Sequence, residues 1–303
     1  MSKRYRVNKQ IGHGVFNILK IVLKVFHSDL IFCWFASVYA SIAVALGKFL
    51  GIKSIIVVGG VDVAKDKNLG YGIWLNPWKA KLVRYALHNA DRVLVVDPSL
   101  GDDAISLAEY DGKNITYLPT GYDSSFWKPL GEKERLVLTV AVVHDIKRLK
   151  LKGIDLLIQA AEKLPELQFL VIGVNSKLAS SLKYPSNMTF HEPIARDDLL
   201  PYYRQAKVYC QPSLREGLPN TLCEAMLCGC IPVASEVGGN TTAIGDTGIL
   251  IPPNDVDALT AALKHAMKLP DNSGAKARAR VVALFPKQKR EIELHRIIDE
   301  LMR

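Results

Sequence analysis

The stretch Val208–Asn240, VYCQPSLREGLPNTLCEAMLCGCIPVASEVGGN, decides how this chain folds. A short apolar run is closed by Pro212-Ser213. Leu214-Arg215-Glu216-Gly217-Leu218-Pro219-Asn220 follows as a polar turn containing Gly and Pro. A helix opens near Pro219, since a missing N–H costs nothing at the first helical position. Leu222, Ala225 and Met226 give that helix an apolar face. Gly229 ends it, and Ile231-Pro232-Val233-Ala234 reads as the next strand. The order is strand, loop, helix, strand, loop, which is the repeating unit of an α/β protein.

The chemistry of this stretch lies in two carboxylates. Glu216 falls in the loop, and Glu224 lies about a turn and a half into the helix. Both can face a ligand lying over the helix N-terminus. An ionised carboxylate only accepts hydrogen bonds, which suits the neighbouring hydroxyls of a sugar or ribose. Between them, the backbone N–H groups of Gly217, Leu218, Asn220 and Thr221, with Pro219 in the turn, form an anion site at a helix start. Hydroxyl acceptors beside a phosphate cradle describe a nucleotide-sugar site. A Glu pair at this spacing also occurs in ordinary amphipathic helices, so the surrounding residues must decide.

Those residues are Glu216-Gly217-Leu218-Pro219-Asn220, Glu224-Ala225-Met226, Gly229, Pro232-Val233 and Gly238-Gly239. Together they resemble the donor-site signature of the family 4 glycosyltransferases, retaining enzymes of the GT-B fold. The likeness extends, more weakly, from about Asp29 to the C-terminus. It implies two Rossmann-like, doubly wound domains facing a cleft. The acceptor would bind the first, at 1–130, and the nucleotide-sugar donor the second, at 131–285. A last helix, 286–303, would return to the first domain. It further implies a hexosyltransferase-type reaction without a metal or other cofactor, the nucleotide-sugar serving as co-substrate. In that scheme Glu216 holds sugar hydroxyls, Glu224 holds the ribose, and Gly238-Gly239 lies beside the diphosphate.

A departing nucleoside diphosphate gains negative charge, so a positive group must meet it. The segment His144–Gly153, read as a loop, offers Lys147, Arg148, Lys150 and Lys152. Lys152-Gly153 resembles the family's Lys-Gly, whose lysine contacts the diphosphate. The family's Gly-Arg pair is absent, with Ala141-Val142 in its place, and Arg148 stands as the substitute. Val58-Gly59-Gly60-Val61-Asp62 ends a strand in a Gly-Gly turn, where active-site loops sit in parallel sheets. Relatives carry a His in this loop. Here glycine takes its place, and Asp62 is the catalytic candidate. Asp255-Val256-Asp257 has the form of a metal-binding Asp-x-Asp, but it opens a helix, and capping with dipole compensation explains it better.

The 303 residues are enough for two ordinary domains. Hydrophobic residues at 49% and charged ones at 23% describe a globular chain. A net charge of +9 suits an anionic partner, such as a nucleotide or an anionic membrane surface. No nucleic-acid-binding motif accompanies it, so nucleic acid is not among the expected partners. The acceptor expected is a glycan or lipid-linked molecule. Cys33, Cys210, Cys223, Cys228 and Cys230 are odd in number, show no Cys-x-x-Cys, and read as small apolar packing in a reduced cytoplasmic setting.

Leu30–Leu46 is uncharged but shorter than the ~20 residues of a membrane span. It divides into a strand at 30–34 and a helix from Ser37, with another strand at 54–58. Residues 1–28 hold Lys3, Arg4, Arg6, Lys9, Lys20 and Lys24 with no acid before Asp29. Phe16, Leu19, Leu23 and Phe26 recur at helical spacing. Two readings fit: a basic amphipathic helix lying on anionic lipid at the inner membrane face, or a helix packed on the first sheet with a solvated basic side. No apolar strand precedes Asp29, where relatives begin with a strand and a Gly-rich loop that help bind acceptor. That departure supports an alternative: a non-catalytic, glycosyltransferase-like binding protein.

Overall fold

Short apolar runs alternating with amphipathic helices leave the chain one economical solution, parallel strands covered by helices. The computed structural model describes residues 4–12 and 14–303; Lys3 lies outside the described residues. Two compact units result. One runs to Gly121 and takes back Gln288–Arg303, and the other is Tyr122–Lys287.

In the first unit, helix α1 (Val15–Val25) precedes strand β1 (Leu30–Trp34), α2 (Val38–Leu50) and β2 (Lys53–Val58). Then come α3 (Pro77–Asn89), β3 (Arg92–Val95), α4 (Pro98–Ala108) and β4 (Ile115–Tyr117). The four strands pair in the order β1-β2-β3-β4, all parallel. Ile55 to Val58 and Val93 to Val95 are buried, the unbroken apolar pattern of strands covered on both faces. Helix starts follow local chemistry. The Asn76 and Asp97 side chains cap α3 and α4, each followed by Pro at the first helical position. The 30–46 run becomes β1 and most of α2, as the sequence predicts. Among the described residues, no helix is long and apolar enough to cross a membrane, and no strand precedes β1.

The second unit begins with β5 (Glu134–Val143), α5 (Ile146–Leu151), α6 (Ile154–Lys163) and β6 (Gln168–Val174). It continues through α7 (Ser176–Ala179), β7 (Met188–His191), α8 (Leu200–Gln205) and β8 (Ala206–Gln211). After these come α9 (Asn220–Leu227), β9 (Ile231–Ser235), α10 (Gly239–Ile244), β10 (Ile249–Ile251), α11 (Val256–Lys268) and α12 (Gly274–Leu284). The parallel sheet has the order β10-β9-β8-β5-β6-β7. Val208 and Cys210 of β8 and Ile231 and Val233 of β9 join the core beneath α6 and α11. Alternation turns Tyr209 to the opposite face, where its ring meets Tyr203 of α8 at 5.9 Å.

The strand order reverses at β5. The chain first builds outward through β6 and β7, then returns to lay β8 on the other side of β5. In such sheets the crevice beyond the C-terminal ends of the two strands at the switch is where ligands bind.

Four features depart from the sequence reading. The segment expected as a loop at 144–153 contains α5, capped by Asp145, whose carboxylate accepts from the Arg148 N–H at 2.8 Å, with Leu149 and Leu151 buried. Charge density hides that short helix in the sequence. Pro219 is the cap residue before α9, extended at ψ 113°, so the helix proper starts at Asn220. Strand β10 and helices α10 and α12 were not expected. The second unit also starts at Tyr122, before the expected 130/131 boundary. The reason is packing: Tyr122 is buried, its hydroxyl donates to Asn220 Oδ1 at 2.9 Å, and Trp127 packs edge-on to Tyr203.

Helix α13 (Lys287–Leu301) lies with the first unit from Gln288 onward. There Arg4 and the Tyr5 hydroxyl both donate to Asp299 at 2.8 Å. Cys210, Cys223, Cys228 and Cys230 are buried free thiols, and Cys230 Sγ donates to the Tyr203 carbonyl.

Candidate active site

Three chain segments leave the C-terminal ends of β5, β8 and β9 and are forced together by glycines. Gly153, just after Lys152, has φ +66°, and a Cβ there would lie 2.0 Å from the Pro212 carbonyl oxygen. Only glycine allows the β5 segment to touch the turn after β8. Gly239 presses on the same turn from β9, since a Cβ on it would lie 2.1 Å from the Gly217 carbonyl oxygen. The Leu214 N–H donates to the Leu151 carbonyl at 2.9 Å and closes the contact.

This backbone frame brings Lys152 Nζ to 2.5 Å from Glu216 Oε1, with only 17% and 11% of the two side chains exposed. Gln211 Nε2 donates to the same Glu216 oxygen at 2.8 Å and to Ser213 Oγ at 3.0 Å. The Tyr209 hydroxyl donates in turn to Gln211 Oε1 at 3.0 Å. Glu216 is thus held at the end of a chain of buried polar groups, and one cation stands against it. Sequence reading placed Lys152 and Glu216 in the site separately and missed Gln211, Tyr209 and Ser213. Their signal was a polar residue ending an apolar strand, which costs free energy unless it has work to do.

Glu224 has other company. Arg196, in a short 3₁₀ turn at Arg196–Leu199, donates through Nε to Glu224 Oε1 at 2.6 Å. Tyr203 donates to Oε2 at 3.3 Å. The Glu224 side chain is 1% exposed, while that of Arg196 is 57% exposed. Burial pushes the Glu224 carboxyl above its usual range, and the Arg196 guanidinium and Tyr203 hydroxyl oppose that push. Both carboxylates are expected from the sequence to face a ligand over the helix start; in this structure Glu224 faces Arg196. It sits inside, and a guanidinium already holds it. The Arg196 guanidinium also lies 5.7 Å from the centre of the Trp127 ring. No spacing rule in the sequence joins Arg196 to Glu224.

The remaining candidates fall as follows. Asn220 and Thr221 open α9, so their N–H groups belong to its unsatisfied first turn, while Gly217 and Leu218 lie in the turn before it. Gly238 caps α10, and Gly239 begins it. Arg148 is exposed on α5.

Asp62 is in the first unit and is 1% exposed. Its carboxylate accepts from the N–H groups of Ala36 at 2.9 Å, Gly60 at 2.8 Å and Gly59 at 3.1 Å. Burial raises its pKa, and those backbone N–H groups pull it back down. In this structure the Asp62 carboxylate fastens the Gly-Gly turn to the end of β1, and most of its acceptor capacity goes to the backbone. Asp255 caps α11 by accepting from the Ala258 N–H at 2.8 Å, and Asp257 pairs with Lys163. Among the described residues, no group of three or more His, Cys, Asp or Glu could hold a metal ion.

With this geometry in view, the likeness to known proteins has a physical basis. The fold is GT-B: sucrose-phosphate synthase from Thermosynechococcus elongatus superposes with a TM-score of 0.76 at 23% identity, covering 94% of this chain and 78% of that one. HepE of Anabaena in complex with UDP gives 0.77 at 13% identity, covering 94% and 82%. Residues 135–268, which run from β5 to the end of α11 and carry Lys152, Glu216 and Glu224, match the model of the family described as Glycosyl transferases group 1.

Among curated proteins, a D-inositol 3-phosphate glycosyltransferase of Mycobacteroides abscessus is 32% identical over 183 residues, covering 54% of this chain and 41% of the relative. One from Mycobacterium sp. (strain KMS) is 32% identical over 204 residues, covering 59% and 45%. The chain spans less than half the length of these curated relatives.

Proposed function

We propose that this chain is a retaining glycosyltransferase that moves a sugar from a nucleoside-diphosphate donor to a glycan or lipid-linked acceptor. The observation that carries the proposal is the Lys152–Glu216–Gln211 cluster, locked between β5 and β8 at the topological switch of a glycosyl transferases group 1 domain. Lys152 and the first-turn N–H groups of Asn220 and Thr221 supply positive charge where the leaving diphosphate gains negative charge. As Lys152 turns to phosphate, it frees a Glu216 oxygen to accept from a sugar hydroxyl. Glu224 accepts from the ribose hydroxyls with the acceptor capacity that Arg196 and Tyr203 leave open, Arg196 opposing the burial that raises the Glu224 pKa. These groups cover the charge that a divalent cation stabilises elsewhere, so the reaction proceeds without one. The acceptor proton leaves with the departing phosphate. The work is placed in the cytoplasm.

A second reading, a binding protein without catalysis, draws on one observation: the Asp62 carboxylate is closed off by backbone N–H groups. The test is native mass spectrometry of the purified chain with UDP-, GDP- and ADP-sugars, followed by release of free nucleoside diphosphate with and without EDTA. One donor should bind, and turnover should survive EDTA. Lys152→Met should lower turnover by about 100-fold or more. A chain that binds a donor and never releases nucleoside diphosphate is the binding protein. Activity lost in EDTA and restored by Mg²⁺ or Mn²⁺ overturns the metal-free scheme.

A further inference from the structure

Helix α1 is apolar on two sides. Val25 packs inward with Ile31 and Ala43, and Ile21 lies against them. Phe16, Leu19, Leu23 and Phe26 point the other way, with exposures of 81%, 58%, 64% and 57%. At 3.6 residues per turn these four form one stripe along the helix. The helix packs on its unit, and what it leaves to solvent is an apolar row.

Single exposed apolar side chains are ordinary, but a contiguous row of four large ones marks an interaction surface. The charges of its own segment have one sign. Arg6, Lys9 and Lys20 are exposed, Lys24 is half-buried at the edge of the row, and Asp29 is the first acid in the chain. The basic segment is also fixed in place. Arg4 and Tyr5 hold Asp299, Asn17 Nδ2 donates to the Gly12 carbonyl at 2.9 Å, and Lys24 Nζ donates to the Lys9 carbonyl. Cations and apolar row are thereby presented as one surface, not as a loose tail.

We propose that this surface docks on an anionic lipid bilayer, with α1 lying in the plane of the interface. Phe16, Leu19, Leu23 and Phe26 enter the boundary between headgroups and acyl chains. Arg6, Lys9, Lys20 and Lys24 meet the lipid phosphates. Charge complementarity selects this occupant. A second copy of the chain on the same face would bring two basic surfaces together, and like charges across an interface repel. An anionic bilayer accepts both the cations and the apolar row. The inference stands apart from the transferase reading, because lipid binding is measured without sugar transfer.

The test is co-sedimentation of the whole chain with phosphatidylglycerol–phosphatidylcholine vesicles and with pure phosphatidylcholine vesicles. At low salt the anionic vesicles should bind at least about tenfold more strongly, and the advantage should shrink at physiological ionic strength. Leu23→Glu, at an exposed position and with circular dichroism as the check that the fold is intact, should abolish binding. Arg6→Glu with Lys20→Glu, which keeps the apolar row, should weaken binding by at least about tenfold. Equal partition onto both vesicle types, or none onto either at low salt, overturns the proposal. So does a dimer in sedimentation velocity that Leu23→Glu converts to monomer, since the face would then belong to a second copy.

Discussion

Glu216 and Glu224 belong to one motif, yet the fold treats them as opposites. Glu216 sits at the surface of the switch crevice with Lys152 against it, 11% exposed and braced from below by Gln211. Glu224 is inside, 1% exposed, and its cationic partner reaches in from solvent. The first pair is a lysine's mobile point charge that a ligand phosphate can draw away. The second is a guanidinium fork that fixes a buried carboxylate and opposes the burial that favours its neutral form. One carboxylate is set up to change partner and the other to hold its place.

The largest expected effect would break the comparison at its frame. Gly153→Ala puts a Cβ onto the Pro212 carbonyl and an L-residue at φ +66°. It should cost about 2–4 kcal/mol in urea unfolding and abolish donor binding, because Lys152 and the turn at Glu216 part company. The Arg196–Glu224 pair does not touch that contact, so a variant with wild-type stability would show that the β5–β8 contact is not the frame.

Next comes the division of labour between the two carboxylates. Glu224→Gln should weaken binding of the bare nucleoside diphosphate by about 10- to 100-fold, the loss of one charged acceptor. Glu216→Gln should leave that affinity within a factor of about three and lower sugar transfer instead. Calorimetry with the diphosphate, beside turnover with the sugar nucleotide, reads both. Equal losses of diphosphate affinity in the two variants would erase the distinction.

The smallest effect is a pH slope. Asp62 and Glu224 titrate above their ordinary values of 3.8 and 4.5 because burial disfavours their charged forms. From those values up to the raised folded ones, the native chain holds protons that the unfolded chain has released. Stability attributable to these groups therefore falls as pH rises through that window. Urea unfolding from about pH 4 to about pH 7 should show a shallower fall in Asp62→Asn and in Glu224→Gln than in the parent. An unchanged slope in both would mean that their buried environments do not carry the effect.

Much of this protein is written locally. Apolar runs such as Ser54–Val58 and Leu136–Val143 have few alternatives to parallel strands, and Asn76-Pro77 and Asp97-Pro98 announce helix starts without help from the rest of the chain. The Glu216–Asn220 turn, Lys152-Gly153 and Gly238-Gly239 were legible for the same reason: glycines, prolines and caps act over a few residues. What the sequence could not supply was partnership across distance. Arg196 finds Glu224, Gln211 finds Glu216, and the Asp62 carboxylate accepts from the N–H groups of Ala36, Gly59 and Gly60. Even the side of α1 that meets solvent was undecided, since its sequence is apolar on both faces. Only packing against Ile31 and Ala43 assigned one face to the core and left the other outside. Burial and pairing belong to the folded whole, because each requires a neighbour that the local sequence does not contain.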